Sequence, residues 1–282
     1  MCAFNEQQRI AQAIHEVLFT TYPCEIELIV VDDGSTDATA KVVEQFDDPR
    51  IILHRHAENR GKGAALRTAS LLATGTHILP FDADLEYSSE DIPRLIEPVI
   101  KRRYDVVYGV RLFGNNTVYQ SYRYAIGNRL LTTTANMLFD AYLSDLHTCL
   151  KLVPLDLFRS LNLRERGFGL DTELSASLLR LGIRPFEVPV SYYSRSHAQG
   201  KKINWRDAFP CLRVLLRVRT TRRKRLWLTA PEDLRPLAPG ERPSGQQGPG
   251  VPGGWGRSEL PSLAAFTPAG QPSEEANAAA AG

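Results

Sequence analysis

The sequence predicts an α/β fold, a mostly parallel sheet with helices on both faces. Two observations carry this. Short β-branched runs alternate with stretches of helical period between residues 6 and 111, the pattern of strand–helix–strand units. Polar clusters also fall where those runs end, Asp32-Asp33-Gly34-Ser35 after one and Asp82-Ala83-Asp84 after another. Ligands of such sheets collect at the carboxyl ends of the strands.

Taken in order, "EQQRIAQAIHEVLFTTY" places Ile10, Ile14, Val17 and Leu18 on one helical face, and "EIELIVVDD" is a strand buried on both faces. "TDATAKVVEQF" is a helix, "RIILHRH" a strand, and "KGAALRTASLLATG" a helix ended by Gly75. "THILPFDAD" is the next strand, "SSEDIPRLIEPVIKR" a helix and "YDVVYGVR" a strand. The opening "MCAFNEQQ" reads as the loop after a first strand that the sequence lacks, so a truncated start and lost core burial are expected. From residue 229 onward lie 9 of the 18 prolines and 9 of the 20 glycines. Such a segment cannot bury enough apolar surface to offset its ordering entropy, so 229–282 is expected to be disordered. The folded domain is then 1–204, followed by a basic amphipathic helix over 205–228.

The 282 residues suffice for a sizeable core, and a net charge of +2 gives no global field for nucleic acid. Cys2, Cys24, Cys149 and Cys211 form no CxxC pair and no metal-ligand spacing, which suits a reduced, cytosolic chain. No run approaches the roughly 20 apolar residues that span a bilayer, and the start carries no signal-peptide pattern. Membrane contact, if any, is expected at the surface. No GxGxxG follows a strand, which disfavours a dinucleotide-dependent dehydrogenase.

Asp82, Asp84 and Glu86 alternate, so an extended segment puts all three on one face. Their like charges require compensation by solvent, a lysine or a divalent cation carrying a phosphate. "VVDDGSTDAT" sets Asp32 and Asp33 at a strand end, where a carboxylate can accept from a base N–H or a ribose hydroxyl, while Ser35 or Asp37 caps the next helix. "NRGKGAALRTA" brings Arg60, Lys62 and two glycines to a helix start, where backbone N–H groups favour an anion. A solvated basic loop is the competing reading. "YRYAIGNRLLTTTANMLFDAYL" and "WRDAFPCLRVLLRVRTTRRKRLWL" mix apolar residues with arginine, as packing helices or as helices lying on anionic lipid.

In this order "AFNEQQRI", "VVDDGSTDAT", "NRGKGAALRTA", "FDADLEY", "VVYGVR", "SDLHTCLK", "GFGLDTEL" and "SRSHAQGKKINWRD" resemble glycosyltransferase family 2, nearest its polyprenyl- or dolichyl-phosphate sugar synthases, over residues 2–207. The resemblance implies the Rossmann-like, nucleotide-sugar-binding GT-A fold and an inverting transfer. It implies Mg²⁺ or Mn²⁺ on Asp82, Asp84 and Glu86, and a nucleotide-sugar donor held by Glu6, Asp32, Asp33, Lys62, Asp82, Asp84, Arg195 and Lys201. Arg111 and Arg123 match the arginines that hold a lipid phosphate, although Gly127 stands where the pattern often has Ser. Asp145 aligns with the acidic residue near the acceptor and, with Asp84, is the expected catalytic group; His147 is expected to be structural.

Three readings follow. The first moves a hexose from GDP-mannose or UDP-glucose to a polyprenyl phosphate at the cytosolic face of a membrane, anchored peripherally or by a membrane-anchored partner subunit. The second keeps the donor but takes a saccharide hydroxyl, with Asp145 as base. The third is an inactive relative whose basic helix binds a membrane or a partner.

Overall fold

The computed structural model describes residues 1–111, 117–118, 122–167, 169–194 and 208–228. Arg195, Lys201 and the 229–282 tail lie outside them. The first half alternates as expected: β1 (Cys2–Ala3), α1 (Ile10–Phe19), β2 (Leu28–Asp32), α2 (Thr39–Val43), β3 (Ile51–Arg55), α3 (Lys62–Leu72), β4 (His77–Ile78), α4 (Ile92–Ile100) and β5 (Val107–Val110). Then follow β6 (Thr117–Val118), α5 (Tyr122–Phe139), β7 (Lys151–Pro154), α6 (Leu155–Ser160), α7 (Gly169–Leu181), β8 (Phe186–Pro189), β9 (Tyr192–Tyr193) and α8 (Ala208–Thr220).

Strands β3, β2 and β1 are parallel neighbours, and a parallel bridge from Cys2 to Asp82 carries β1 alongside the chain leaving β4. Beyond it β7 runs antiparallel between β4 and β5, and β5 pairs in parallel with β8. The order is therefore β3-β2-β1-β4-β7-β5-β8, parallel but for β7. Side chains sort by the two-residue period of strands. Leu28 and Val30 of β2 pack with α1 and α4, while Ile29 and Val31 pack with Ala65 and Ala69 of α3. Val107 of β5 joins the α1/α4 side, and Tyr108 and Val110 join α5, α7 and α8 on the other. Helices thus cover both faces.

Three sequence expectations are corrected. The chain does not open in a loop: Val31 N–H donates to Met1 O at 2.9 Å and Asp33 N–H to Ala3 O at 2.8 Å, so Cys2–Ala3 supply a central strand. A buried backbone group left unpaired beside β2 would be costly, which selects this pairing. Gly75 does not end α3. Ala73 closes the helix on Ala69 O, and the Thr74 and Gly75 N–H groups instead donate to the Glu27 carboxylate, both at 2.7 Å. The "THILPFDAD" strand shortens to His77–Ile78, since Pro80 has no N–H for the ladder.

Of the expected 205–228 helix, residues 205–207 lie outside the described residues and α8 covers Ala208–Thr220, where most of the apolar stripe is already used. Cys211, Val214, Leu215 and Val218 are buried, the last three in one cluster with residues of α5 and α7, which contributes about 1.5–3 kcal/mol for each large side chain. Phe209, Leu212 and Leu216 remain exposed, as do Tyr122, Ile126, Leu130 and Met137 on α5.

One turn fixes the loop after β2. Gly34 has φ +73°, and a Cβ there would stand 2.4 Å from the Glu58 carbonyl carbon. Gly34→Ala is expected to destabilise the fold by about 2–4 kcal/mol, combining left-handed strain with a backbone clash. Urea denaturation measures it.

Candidate active site

The loop after β1 and the loop after β2 close on each other. Asn5 N–H donates to Ser35 Oγ at 2.9 Å, Thr36 N–H to Asn5 Oδ1 at 2.9 Å and Ala38 N–H to Gln7 Oε1 at 3.0 Å. Glu6 is buried within this pairing, its N–H on Thr39 Oγ1 at 2.9 Å. Asp37, at 2.9 Å from Thr39 N, ties down the start of α2. At the tip of β2, Asp32 is fully buried and its Oδ1 accepts from Ser35 N–H at 3.0 Å. Its Oδ2 makes no hydrogen bond, although Arg55 Nε stands 3.3 Å away. A base N–H or ribose hydroxyl reaching Oδ2 would relieve the cost of that unmade bond.

Asp33 is placed differently from the expected nucleoside contact. Both of its oxygens are spent on the next loop, accepting Arg60 N–H at 3.0 Å and Gly61 N–H at 2.7 Å, with His56 Nδ1 at 2.7 Å. Its carboxylate shapes the basic loop instead. The expected anion seat at the start of α3 is likewise taken. Gly63 and Ala64 N–H donate to Arg166 O at 2.6 and 3.2 Å, so a backbone carbonyl fills the place proposed for phosphate.

Lys62, in the first turn of α3, supplies the compensation that the acidic strand tip requires. Its Nζ lies 2.8 Å from Asp82 Oδ2, 3.4 Å from Asp171 Oδ2 and 3.5 Å from Cys149 Sγ. Burial disfavours that charge, but Asp171 and Asp82 outweigh it and hold the ammonium well above its ordinary pKa. Asp171 Oδ1 in turn lies 3.4 Å from Lys151 Nζ, which is fully buried. Burial pulls Lys151 below its usual range. Asp84 Oδ1 accepts Glu86 N–H at 3.1 Å across Leu85, whose φ is +60°. Glu86 Oε2 accepts from the Tyr192 hydroxyl at 2.6 Å. Among the described residues no three His, Cys, Asp or Glu side chains converge as a metal site, so Asp82, Asp84 and Glu86 are neighbours but not an assembled triad. Asp82 and Asp84 nonetheless offer the hard oxygens that suit Mg²⁺ or Mn²⁺ when phosphate completes the shell.

Arg111, just past β5, is expected to meet a phosphate; the structure pairs it with Asp145. Nε donates to Oδ2 at 2.6 Å and the terminal nitrogen to Oδ1 at 2.8 Å, a bidentate fork 4.8 Å above the Tyr192 ring. Asp145 also accepts from Arg111 N–H at 3.4 Å, Asn128 Nδ2 at 2.8 Å and His147 N–H at 3.2 Å. Burial works against this carboxylate, yet Arg111 and Asn128 overcome it and hold its pKa far below the usual range. His147 Nδ1 lies 2.9 Å from Asn128 Oδ1 and Nε2 lies 2.9 Å from Thr172 Oγ1. Burial lowers its pKa to about 4, which favours the neutral imidazole at pH 7. Its two ring nitrogens thus tie α5 to α7 beside Asp145. Arg123 falls in the first turn of α5.

Sequence reasoning missed Lys151, Asp171, Asn128 and Tyr192. One signal was available: Lys151 interrupts the apolar run "CLKLVP", and a charge there must find a buried partner.

The profile of Glycosyl transferase family 2 matches residues 1–161. An uncharacterized protein of Methanocaldococcus jannaschii is 25% identical over 220 residues, covering 76% of this chain and 88% of that one. Glycosyltransferase AglJ of Haloferax volcanii is 25% identical over 193 residues, covering 68% of this chain and 61% of its own. In fold, the chain is similar to glucosyl-3-phosphoglycerate synthase from Mycobacterium tuberculosis, solved with Mn²⁺, UDP-glucose and phosphoglyceric acid; the TM-score is 0.58 at 19% identity, covering 77% of each chain. With the family profile spanning more than half of the residues over this strand order, the chain belongs to glycosyl transferase family 2 and is a glycosyltransferase of the GT-A fold.

Proposed function

We propose that this glycosyltransferase moves a hexose from GDP-mannose or UDP-glucose to a polyprenyl phosphate, with inversion at the anomeric carbon. The acceptor oxygen attacks that carbon, its bond to the diphosphate breaks, and the nucleoside diphosphate leaves with the bonding pair. No proton changes hands when the nucleophile is already a phosphate anion. One observation carries the acceptor class: Asp145 is buried, bonded to Arg111 and Asn128 and strongly stabilised as the anion, hence a weak base. A saccharide hydroxyl needs a base with a pKa nearer the working pH.

Asp32 and the buried Glu6 loop bound the nucleoside end. Asp82 and Asp84 would hold Mg²⁺ or Mn²⁺ against the diphosphate; when bound, such an ion supplies Lewis-acid stabilisation of the leaving group. The solved relative's Mn²⁺ and UDP-glucose support this donor chemistry. Work at the cytosolic face of a membrane is supported by the exposed Phe209, Leu212 and Leu216, interleaved with exposed Arg213 and Arg219. Among the described residues no helix is long and apolar enough to cross a membrane; the proposed contact is peripheral or supplied by a membrane-anchored partner subunit.

The test is transfer of labelled sugar from GDP-mannose and UDP-glucose, with Mn²⁺, to three acceptors: polyprenyl phosphate in anionic vesicles, phosphoglyceric acid, and free sugars. The expected label is in the lipid phase, from one donor. Label appearing in free sugars alone overturns the acceptor.

A further inference from the structure

The carboxylate that would ligate the metal already has a cation on it. Lys62 Nζ sits 2.8 Å from Asp82 Oδ2, and a divalent ion bound to that same oxygen would stand in like-charge conflict with it. A second seat lies within reach, since Asp171 Oδ2 is 3.4 Å from the same nitrogen. The base of the side chain is fixed while its end is not. Gly61 N–H is bonded to Asp33 at 2.7 Å and Gly63 N–H to Arg166 O at 2.6 Å, which pins the backbone on either side of Lys62. The four-carbon stem between backbone and ammonium is flexible.

We infer that Lys62 is a displaceable internal counter-ion, seated on Asp82 in the absence of metal and moved toward Asp171 and the donor diphosphate when the ion arrives. This rests on the metal–diphosphate reading above and adds a consequence to it. Metal alone must evict Lys62 into the Asp171–Lys151 pair, where a neighbouring ammonium opposes it. A nucleoside diphosphate supplies new anionic charge for both cations. Metal and nucleotide therefore bind as a coupled pair, and the carboxylates do not collect idle metal between turnovers.

The experiment titrates Mn²⁺ into the full chain, reading free Mn²⁺ by electron paramagnetic resonance, alone and with UDP or GDP. In the wild type the nucleotide is expected to tighten Mn²⁺ binding at least tenfold. In Lys62→Gln, Mn²⁺ alone is expected to bind about tenfold tighter than in wild type, and the coupling to shrink toward unity. An equal gain with and without nucleotide would make Lys62 a background charge and overturn the inference. Asp171→Asn removes the second seat and must weaken Mn²⁺ binding in the absence of nucleotide. If Lys62→Gln fails to fold, unchanged or tighter binding in Asp171→Asn overturns the idea by itself. Wild type that takes up no Mn²⁺ even with UDP and GDP sinks the donor–metal reading together with this one. Normal wild-type uptake beside a Lys62→Gln chain that binds bare Mn²⁺ no better sinks this one alone.

Discussion

Asp84→Asn is expected to lower turnover about a thousandfold while leaving the fold in place. The substitution is chosen for what it keeps. Asp84 Oδ1 accepts the Glu86 N–H at 3.1 Å and so holds a turn in which Leu85 has φ +60°. An amide oxygen preserves that bond and removes only the charge. The expected size follows from the role assigned to the strand tip. Lewis-acid stabilisation of a leaving diphosphate is worth several kcal/mol, and each 1.36 kcal/mol is about tenfold in rate. Exhaustive chelation of the wild type is expected to reach the same floor, and excess Mn²⁺ to restore part of the variant's activity. The thermal midpoint should shift by only a few degrees. Full turnover in chelator, with Asp84→Asn equally active, would show that the acidic tip serves the fold rather than the donor. A large fall in thermal stability would make the kinetic loss uninformative, which is why the amide and not alanine is the variant to measure.

Why the tip was legible and its surroundings were not is a matter of range. Strand β2 announces itself by a β-branched run, and a run buried on both faces, as β2 is, needs no partner to be recognised. Asp82 and Asp84 follow the apolar stretch Ile78-Leu79-Pro80-Phe81, so their place just beyond β4 follows from the local sequence. Lys62, Asp171 and Lys151 come from α3, α7 and β7, and nothing local marks them as neighbours. The seat at the start of α3 was misread for a similar reason. The group that fills it is the backbone carbonyl of Arg166, and a carbonyl leaves no signature in the residue type. Helix α8 shows a third limit. Its amphipathic period was plain, but periodicity does not say whether a stripe faces protein or lipid. Leu215 and Val218 proved to face the core, leaving Phe209, Leu212 and Leu216 outside.

The second large effect concerns Asp145 and Arg111, and it separates holding a site together from proton transfer. Asp145 is 1% exposed and its partner's side chain 12% exposed, so either charge left alone is stranded in protein. Asp145→Asn and Arg111→Met are each expected to cost about 3–5 kcal/mol in stability, and the double variant much less than their sum, because it strands no charge. The pH dependence has a definite sign. A carboxylate whose folded pKa lies below its unfolded value contributes stability that is fully present above the unfolded pKa of about 4. That contribution is lost as pH falls through the folded value, which burial opposes but Arg111 and Asn128 press far down. The stability gap between wild type and Asp145→Asn should therefore be flat from about pH 5 to pH 8 and narrow progressively below about pH 4, measured by denaturant titration. Kinetically, an orienting Asp145 leaves no rate limb of its own in that neutral range. A general base would instead give a limb at its pKa, about a hundredfold or greater loss of kcat in Asp145→Asn, and no recovery in the double variant. Recovery of both stability and turnover in the double variant assigns the pair to positioning; recovery of stability alone returns Asp145 to the chemistry and favours a hydroxyl acceptor.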